Sequence, residues 1–397
     1  MTARHQTAAG SPERKHVTDI EKLPHLSQAE RVRLRPVTDR FAFRATRYYL
    51  NLIDWTDPQD PIRRLIVPTP SELRQWGQLD PSRESAVTVA PGVQHKYTST
   101  ALILATPMCS GFCRYCFRKR LFMDRTREKE AVSDFNEGIR YIASHPEISN
   151  VLVTGGDPMV LSTRRLGSLL RKLREIDHVR IIRIGTKTPA FNPYRFLDDE
   201  RLFDVLSEHS HPDRRLYVIC HFDHPRELTP QAREVIDRLI RSGVICVNQT
   251  PISRGINDNA EVMAQLMNEL SYMGVPQYYF FQCRPTTGNY PYAVPIVEGY
   301  YLVERAKALC SGLAKRLRLV MSHESGKVEV AGVDRRHVYL KYHRAMEPCD
   351  DHRFVVCHRN DSAYWFDELR PVDGYYNPYF GRHQAHRDQS GLSCLPD

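Results

Sequence analysis

Short apolar runs alternate with longer amphipathic segments from about residue 98 onward. Six runs have the length and residue types of buried strands: 101–106, 150–155, 179–185, 216–222, 244–250 and 277–283. Helical patterns lie between them. "TPQAREVIDRLIRSG", for example, opens on Thr229 and Pro230 and closes on Gly243, as a capped helix does. Six such alternations predict parallel strands joined by right-handed crossovers, and they favour a partial or complete α/β barrel over a doubly wound sheet.

The pattern divides the chain into five predicted parts. Residues 1–18 are polar and predict a disordered basic arm, and residues 19–95 predict an N-terminal helical extension. The predicted barrel occupies residues 96–290. Residues 291–345 form a C-terminal extension with one more long helix and an apolar segment. Residues 346–397 are rich in aromatic, His and Pro residues and predict a loop-rich tail.

Composition narrows the class of protein. The chain has 397 residues, of which 41% are hydrophobic, so it can bury a sizeable core. No apolar run reaches the roughly 20 residues that a membrane-spanning helix needs, and the N-terminus lacks the apolar centre of a secretory signal. We therefore expect a soluble cytoplasmic protein whose ten cysteines are free thiols or metal ligands.

The charge of the chain would allow a nucleic-acid partner. Its formal net charge is +9, and residues 1–50 contain ten Lys and Arg against five Asp and Glu. The sequence has no zinc-finger, RNA-binding or helix-turn-helix signature. We therefore interpret the excess as a solvated basic arm together with anion-binding residues in a site.

Polar residues follow each apolar run, where chemistry gathers in parallel α/β folds. The segments are 109–116, 155–157, 186–187, 221–224, 248–250 and 282–284. Among them, His221 and His224 are expected to line the site.

Three cysteines follow the first barrel strand with CxxxCxxC spacing: Cys109, Cys113 and Cys116. A structural zinc site takes four protein ligands, but the next cysteine along the chain is Cys220 and the next histidine is His145. Three thiolates suit a [4Fe–4S] cluster whose fourth iron stays open for a substrate or cofactor. Four neighbouring cations are expected to favour thiolates and to bind anionic groups: Arg114, Arg118, Lys119 and Arg120.

The cysteine motif, with an aromatic residue at Tyr115, resembles the radical S-adenosylmethionine superfamily. Further motifs are similar to the lysine 2,3-aminomutase family, which includes the elongation-factor β-lysylation enzyme and glutamate 2,3-aminomutase. In order along residues 92–283 they are "GVQHKYTSTALIL", "CSGFCRYCFRKR", "VLVTGGDPMVLS", "RIGTKTPAFNPYRF", "HFDHPRELT", "NQTPISRGINDN" and "YYFFQC". The likeness covers about residues 40–330.

The resemblance implies roles for individual residues. The cluster would bind S-adenosylmethionine at its open iron, and one electron, from a donor such as flavodoxin or ferredoxin, would release a 5′-deoxyadenosyl radical. Tyr115, Gly155, Gly156 and Asp157 are then expected to bind S-adenosylmethionine. The glycines would let the backbone approach the methionine moiety, and Asp157 would take its ammonium group.

The aminomutases also carry pyridoxal 5′-phosphate on a lysine after the last long helix, and Lys327 occupies that place. The family's run of glycines is replaced there by His323-Glu324-Ser325. Lys96 and the residues near Asn248-Gln249 are candidates for binding the phosphate.

Two arginines are expected to bind the substrate. By the resemblance, Arg118 clamps the substrate carboxylate with its planar fork. The lysine enzyme holds its substrate's ε-ammonium with one aspartate after "QC" and a second before the glycine-rich loop, whereas this chain has Arg284 and Val320-Met321 there. This difference favours an amino acid with an anionic or polar side chain over free lysine.

We therefore expect a radical isomerase that performs a 1,2-amino shift on an amino acid. Two alternatives remain open: a relative without pyridoxal phosphate that carries out dehydration, epimerisation or another C–H abstraction, and a redox-sensing iron–sulfur protein. Zinc binding by C-terminal residues is a weaker hypothesis, and the aromatic tail is consistent with a contact in a homo-oligomer. The candidate zinc ligands are Cys349, His352, Cys357 and His358.

Overall fold

The computed structural model describes residues 12–123 and 134–372. Its main feature is a sheet of twelve strands, in which each strand lies beside the next one along the chain. A separate two-stranded ribbon pairs β1 (His16–Val17) with β2 (Ala45–Thr46). The strands of the main sheet are β3 (Thr88–Ala90), β4 (Val93–Tyr97), β5 (Thr100–Thr106), β6 (Asn150–Gly155), β7 (Ile181–Thr186), β8 (Leu216–Cys220), β9 (Ile245–Pro251), β10 (Gln277–Phe281), β11 (Arg318–His323), β12 (Gly326–Val333), β13 (His337–Ala345) and β14 (Phe354–His358).

The middle of this sheet is parallel. Strands β5 to β11 pair parallel with their neighbours, while β3 and β4 on one side and β12 to β14 on the other pair antiparallel. The six predicted strands correspond to β5–β10, and β11 adds a seventh parallel strand. The parallel core confirms the α/β fold class that the sequence predicts.

The sheet curves, so that its two antiparallel flanks approach each other. Arg344 on β13 donates from Nη2 to Ser99 Oγ at 2.6 Å and from Nη1 to Thr100 Oγ1 at 2.9 Å. Lys96 on β4 donates from Nζ to the carbonyl oxygen of His323 at 2.5 Å. These contacts give the sheet an inner face, which surrounds a cavity.

Helices follow the strands and cover the outer face. Thr229 caps α9 as the sequence predicts, because its side chain accepts a hydrogen bond from the N–H of Ala232, and Gly243 adopts a φ of +74° just beyond the helix. The helices are α1 (Gln28–Arg40), α2 (Arg47–Leu50), α3 (Pro61–Ile66), α4 (Asn136–Ala143), α5 (Thr163–Arg174), α6 (Thr188–Phe191), α7 (Tyr194–Leu197), α8 (Arg201–Glu208), α9 (Pro230–Arg241), α10 (Ala260–Tyr272) and α11 (Ile296–Ala308). No helix in these described residues is long and apolar enough to cross a membrane.

Alternation along the strands separates the core from the cavity. On β7, Ile182 and Ile184 pack into the core between sheet and helices, whereas Arg183 and Gly185 line the cavity. A second apolar cluster joins α10 and α11 to the C-terminal strands, and a third joins the N-terminal extension to Tyr115 at the cysteine segment. The C-terminal extension therefore shares a core with β10 and β11, and the N-terminal extension packs against segments that follow the parallel strands.

The described termini refine two predictions. Residues 12–17 contain a 3-10 helix and strand β1, so the predicted disordered arm is wrong for this stretch, while residues 1–11 lie outside the described residues. The predicted loop-rich tail contains β14 and the buried side chain of Trp365. Residues 373–397 also lie outside the described residues.

Candidate active site

One cavity of about 410 Å³ lies inside the curve of the sheet. Its lining comes mainly from the ends of parallel strands and from the segments that follow them. Eleven of the predicted site residues line it: Lys96, Cys109, Cys113, Tyr115, Cys116, Arg118, Gly155, Gly156, Asp157, Arg284 and Lys327. The fold therefore brings these residues together from five separate stretches of the sequence.

The N-terminal extension holds the cysteine segment in place. The N–H groups of Phe112 and Arg114 donate to the carbonyl oxygens of Arg44 and Leu65, both at 2.9 Å. Arg114 forms a buried ion pair with Glu72, with 2.7 Å between Nη2 and Oε2. The segment that carries the three thiols is thus fixed by residues more than 40 positions upstream.

The three cysteines fit an iron–sulfur cluster by their chemistry and placement. All are free thiols, and all face the same cavity. Among the described residues, no three His, Cys, Asp or Glu side chains are placed to share a single metal ion. A cluster of four irons is larger than one ion, so its cysteine ligands need not converge on one point.

Burial raises the pKa of Cys109, Cys113 and Cys116. At Cys116 the charges of Lys119, Arg118 and Arg120 act in the predicted direction and favour the thiolate, but desolvation outweighs them. Neighbouring cations also have other partners: Arg114 pairs with Glu72, and Lys119 Nζ donates to the carbonyl oxygen of Arg114 at 2.8 Å. Thiolates at these positions would need the positive charge of bound iron.

The glycine pair after β6 allows close contact with the backbone before the cysteines. The N–H of Gly156 donates to the carbonyl oxygen of Thr106 at 2.6 Å, and a Cβ on Gly156 would lie 2.2 Å from the carbonyl oxygen of Met108. Gly155 has a φ of +120°, which disfavours other residues. The observed neighbour of the pair is the 106–108 backbone, and contact with S-adenosylmethionine stays a prediction.

The carboxylate of Asp157 accepts five hydrogen bonds from neighbouring protein groups. Its Oδ2 accepts from Thr186 Oγ1, from the N–H of Lys187 and from both the N–H and Oγ1 of Thr188, at 2.8–2.9 Å. Its Oδ1 accepts from the N–H of Met159 at 3.0 Å. The carboxylate thus connects the ends of β6 and β7, and Oδ1 is the less occupied oxygen for the predicted ammonium group.

A buried carboxylate, Glu84, pairs with Arg118 and interacts electrostatically with Arg284, the two predicted substrate arginines. Arg118 donates to it from Nε at 3.0 Å and from Nη2 at 2.8 Å, and Arg120 donates from Nη2 at 2.6 Å. Burial alone would raise the pKa of Glu84, but the charges of these arginines and of Arg284 outweigh it and lower that pKa. Glu84 is therefore an anion inside the cavity.

Lys327 lies on β12 among other cations. Its Nζ is 4.3 Å from the centre of the Tyr279 ring. Burial, followed by the charges of Arg183, Arg284 and Arg344 and that of Lys96, lowers the pKa of Lys327 to about 7. A large fraction of this amine is neutral near pH 7, which is the form that reacts with an aldehyde.

Some sequence expectations for the site need correction. His221 lines the cavity, but His224 does not; its Nδ1 accepts from the N–H of Arg226 at 3.2 Å. Of the phosphate candidates, Gln249 lines the cavity, whereas Asn248 is fully buried and bonded to protein groups such as the Phe222 carbonyl oxygen.

Sequence reasoning missed three charged residues of the cavity. Arg183 and Arg344 point into the cavity from β7 and β13. A charged residue within a strand sequence could have indicated a side chain that faces a polar cavity. Glu84 lies in the polar stretch "DPSRESAV", which has neither a motif nor a strand end to mark it.

The zinc hypothesis finds no support in the geometry. Cys357 is a fully buried core residue of β14, and burial raises its pKa to about 11. His358, the next residue, is exposed. Strand alternation therefore directs these two side chains to opposite faces of the sheet.

Comparison with known proteins identifies the family. Residues 103–267 match the Radical SAM superfamily. An Aquifex aeolicus protein named "Putative L-lysine 2,3-aminomutase" is 48% identical over 363 residues, which is 91% of this chain and 96% of that protein. This chain belongs to the lysine 2,3-aminomutase family.

Other members of the lysine 2,3-aminomutase family extend the comparison. The L-lysine 2,3-aminomutase of Fusobacterium nucleatum is 36% identical over 300 residues, covering 75% of this chain and 69% of that protein. The glutamate 2,3-aminomutase of Clostridioides difficile is 32% identical over 314 residues, covering 78% of this chain and 73% of that protein. Similarity thus extends to enzymes named for two different substrates.

Membership in the lysine 2,3-aminomutase family confirms the predicted resemblance. It supports an amino acid 2,3-aminomutase-like isomerase with a small-molecule amino acid as substrate. The superfamily implies a [4Fe–4S] cluster and S-adenosylmethionine, and the cysteines of the cavity are chemically suited to such a cluster.

Proposed function

We propose that this member of the family converts an α-amino acid with an acidic side chain, such as glutamate, into its β-amino isomer, with pyridoxal phosphate at Lys327. The observation that carries the proposal is the charge of the cavity. Seven Lys and Arg residues line it against two carboxylates, Glu84 and Asp157. Both carboxylates already accept hydrogen bonds from the protein.

Arg284 is the proposed partner of the acidic side chain. Its guanidinium stacks 3.6 Å from the centre of the Phe117 ring and donates from Nη1 to Ser82 Oγ at 2.9 Å. Burial lowers the pKa of Arg284 to about 10, which still leaves it charged at neutral pH. A half-buried guanidinium with unused donors is a strong site for a carboxylate.

The other cations divide between substrate and cofactor in this proposal. Arg118 would bind the α-carboxylate through the donors that Glu84 leaves open. Lys96, Arg183 and Arg344 surround Lys327 and form a cationic wall suited to a phosphate group. When bound, the cluster with S-adenosylmethionine supplies a radical that removes a substrate hydrogen, and pyridoxal phosphate supports migration of the amino nitrogen.

The direct test uses protein reconstituted anaerobically with iron, sulfide and pyridoxal phosphate. The reduced protein is incubated with S-adenosylmethionine and separate samples of glutamate, aspartate, lysine and alanine, and 5′-deoxyadenosine and β-amino products are measured. We expect the β-amino isomer of an acidic amino acid. Preference for lysine would contradict the substrate assignment. Cleavage of S-adenosylmethionine with a product other than a β-amino acid would point to the relative without pyridoxal phosphate.

Arg284→Asp tests the specificity residue. Loss of a charged hydrogen bond and the new repulsion should lower kcat/KM for glutamate by about 100-fold. Reductive cleavage of S-adenosylmethionine without substrate should remain, because the cysteines are unchanged. Arg284→Lys, which keeps the charge but not the planar fork, should show a smaller loss. Equal glutamate turnover by the wild type and Arg284→Asp would remove Arg284 from the substrate site.

Lys327→Ala tests the cofactor lysine. We expect it to lose both the absorbance of attached pyridoxal phosphate and the β-amino product, while keeping the iron content of the wild type. Unchanged cofactor absorbance and turnover in this variant would contradict the assignment of Lys327.

A further inference from the structure

Glu84 pairs with Arg118 and interacts electrostatically with Arg284, the two arginines that the proposed function assigns to the substrate. Asp80 shapes its loop, since Asp80 Oδ1 accepts from the N–H of Glu84 at 2.9 Å and Oδ2 accepts from the N–H of Ser85 at 3.1 Å. Ser82 fixes the other side, because its Oγ donates to the carbonyl oxygen of Ser322 at 3.1 Å and accepts from Arg284. The carboxylate is therefore held by its own loop.

The hydrogen bonds show how many N–H donors of Arg118 and Arg284 are already occupied and how many remain open for a ligand. A guanidinium has five N–H donors. Arg118 uses Nε and Nη2 on Glu84 and Nη1 on Thr154 Oγ1 at 3.1 Å, so three of its donors are engaged. Arg284 has one hydrogen bond, to Ser82, among the residues that the structure describes. A ligand carboxylate thus finds more open donors on Arg284 than on Arg118.

Glu84 also competes electrostatically with a ligand. It is the one carboxylate near Arg118, Arg120 and Arg284 that lines the described part of the cavity. A negative charge in a water-poor cavity opposes the entry of another negative charge, and the effect is strong at short range. The same charge holds Arg118 in a fixed orientation.

We infer that Glu84 is a specificity-determining residue, an internal carboxylate that competes with ligand carboxylates for the arginines and limits how tightly the cavity binds dianions. The inference rests on the proposed acidic substrate and deepens it. It assigns to Glu84 the task of keeping simple dicarboxylates, which lack the positive charge of an amino group and are therefore repelled more strongly than glutamate, from occupying the site as tightly as its arginines alone would allow.

Glutarate is the probe, because it has the two carboxylates of glutamate but no amino group to migrate. Its binding is measured by titration calorimetry on wild type and Glu84→Gln, both reconstituted anaerobically with iron, sulfide and pyridoxal phosphate. Glutamine keeps the shape of the side chain and removes its charge. We expect the Kd for glutarate to fall by about tenfold in Glu84→Gln, while kcat for the amino acid substrate falls because Arg118 loses its orientation. Glu84→Asp, which keeps the charge, should restore a Kd near that of the wild type.

Glu72 provides a matched control. It is a fully buried carboxylate that pairs with Arg114 on the same cysteine segment, but neither residue lines the cavity. Glu72→Gln should therefore lower the melting temperature, as Glu84→Gln does, without tightening glutarate binding. A purely structural role for Glu84 predicts weaker or unchanged binding in both variants.

The outcomes separate this inference from the proposed function. If no amino acid is isomerised but Glu84→Gln binds glutarate more tightly, the proposed function fails and the role of Glu84 stands. If glutamate is isomerised and the Kd for glutarate is unchanged or higher in Glu84→Gln, the role of Glu84 is wrong. Absence of measurable glutarate binding to either protein also overturns the inference.

Discussion

At the scale of single residues, Lys327 shows how neighbours can make an ordinary cation reactive. A lysine in water has a pKa near 10.4 and is almost fully protonated at neutral pH. Here burial and four nearby cations lower the pKa of Lys327 to about 7. The lysine and its cationic neighbours therefore serve the same proposed task, since the charges that suit a phosphate also favour the neutral amine.

This environment predicts the pH dependence of cofactor attachment. Only the neutral amine reacts with an aldehyde, so the rate of pyridoxal phosphate attachment should rise with pH through about 7 and level off above it. Stopped-flow absorbance on the reconstituted protein measures this rate. Because the charge of Arg344 contributes to the lowered pKa, Arg344→Gln should move the midpoint to higher pH. A wild-type midpoint near 10 would contradict the environment described for Lys327.

The residues of the site differ in how visible they are in sequence. Cys109, Gly156 and Lys327 stand in motifs or directly after predicted strands, and the structure places them around one cavity. Glu84 could not be predicted, because its importance comes from arginines 34, 36 and 200 positions away. Long-range pairing of this kind leaves no local pattern.

At the scale of elements, the glycine pair after β6 positions the segment that precedes the cysteines. A side chain at Gly156 would overlap the carbonyl group of Met108, one residue before Cys109. The overlap is with backbone, so it cannot be relieved by rotating a side chain.

Gly156→Ala should therefore displace the cysteine segment and reduce iron incorporation severalfold while most of the chain stays folded. Iron per chain after reconstitution, together with circular dichroism, measures both effects. Gly312→Ala is the matched control, because a Cβ there meets no atom within 4 Å; it should bind iron as the wild type does. Full iron content in Gly156→Ala would show that the segment tolerates the shift.

The elements that were predictable are those with a local signature. The six parallel strands have short apolar runs, and α9 has Thr229 and Gly243 at its ends. The extension of the sheet by β12–β14 was not predicted, because antiparallel pairing depends on partners elsewhere in the chain. The pairing of β12 with β13 requires a glycine at position 326, because a Cβ there would lie only 2.4 Å from the carbonyl oxygen of Arg344.

At the scale of the whole molecule, the C-terminal strands share one apolar cluster with helices α10 and α11. Trp365 is 3% exposed and belongs to the cluster that contains residues of α10 and α11. The extension that carries Lys327 therefore packs against the helices of the parallel sheet, which predicts that the two unfold together.

Trp365→Ala tests this integration. Removing a buried aromatic side chain should lower the free energy of unfolding by roughly 3–5 kcal/mol, with one transition seen by both fluorescence and circular dichroism in urea. Tyr272→Ala, at a position that is 78% exposed, should change stability by less than about 0.5 kcal/mol. Two separate transitions in the wild type would mean that the extension folds independently.

The attachment of the cysteine segment to upstream residues has a practical consequence for protein engineering. The stretch shared with the superfamily spans residues 103–267, but Arg44, Leu65 and Glu72, which hold the segment, lie before it. A shortened protein that contains only the shared stretch would keep the three cysteines that are predicted to bind the cluster, but it would lose the residues that hold the cysteine segment in place. Shortened or chimeric versions should therefore retain residues 44–72, or residues that make the same contacts with the cysteine segment. Without these contacts we expect no iron to be incorporated.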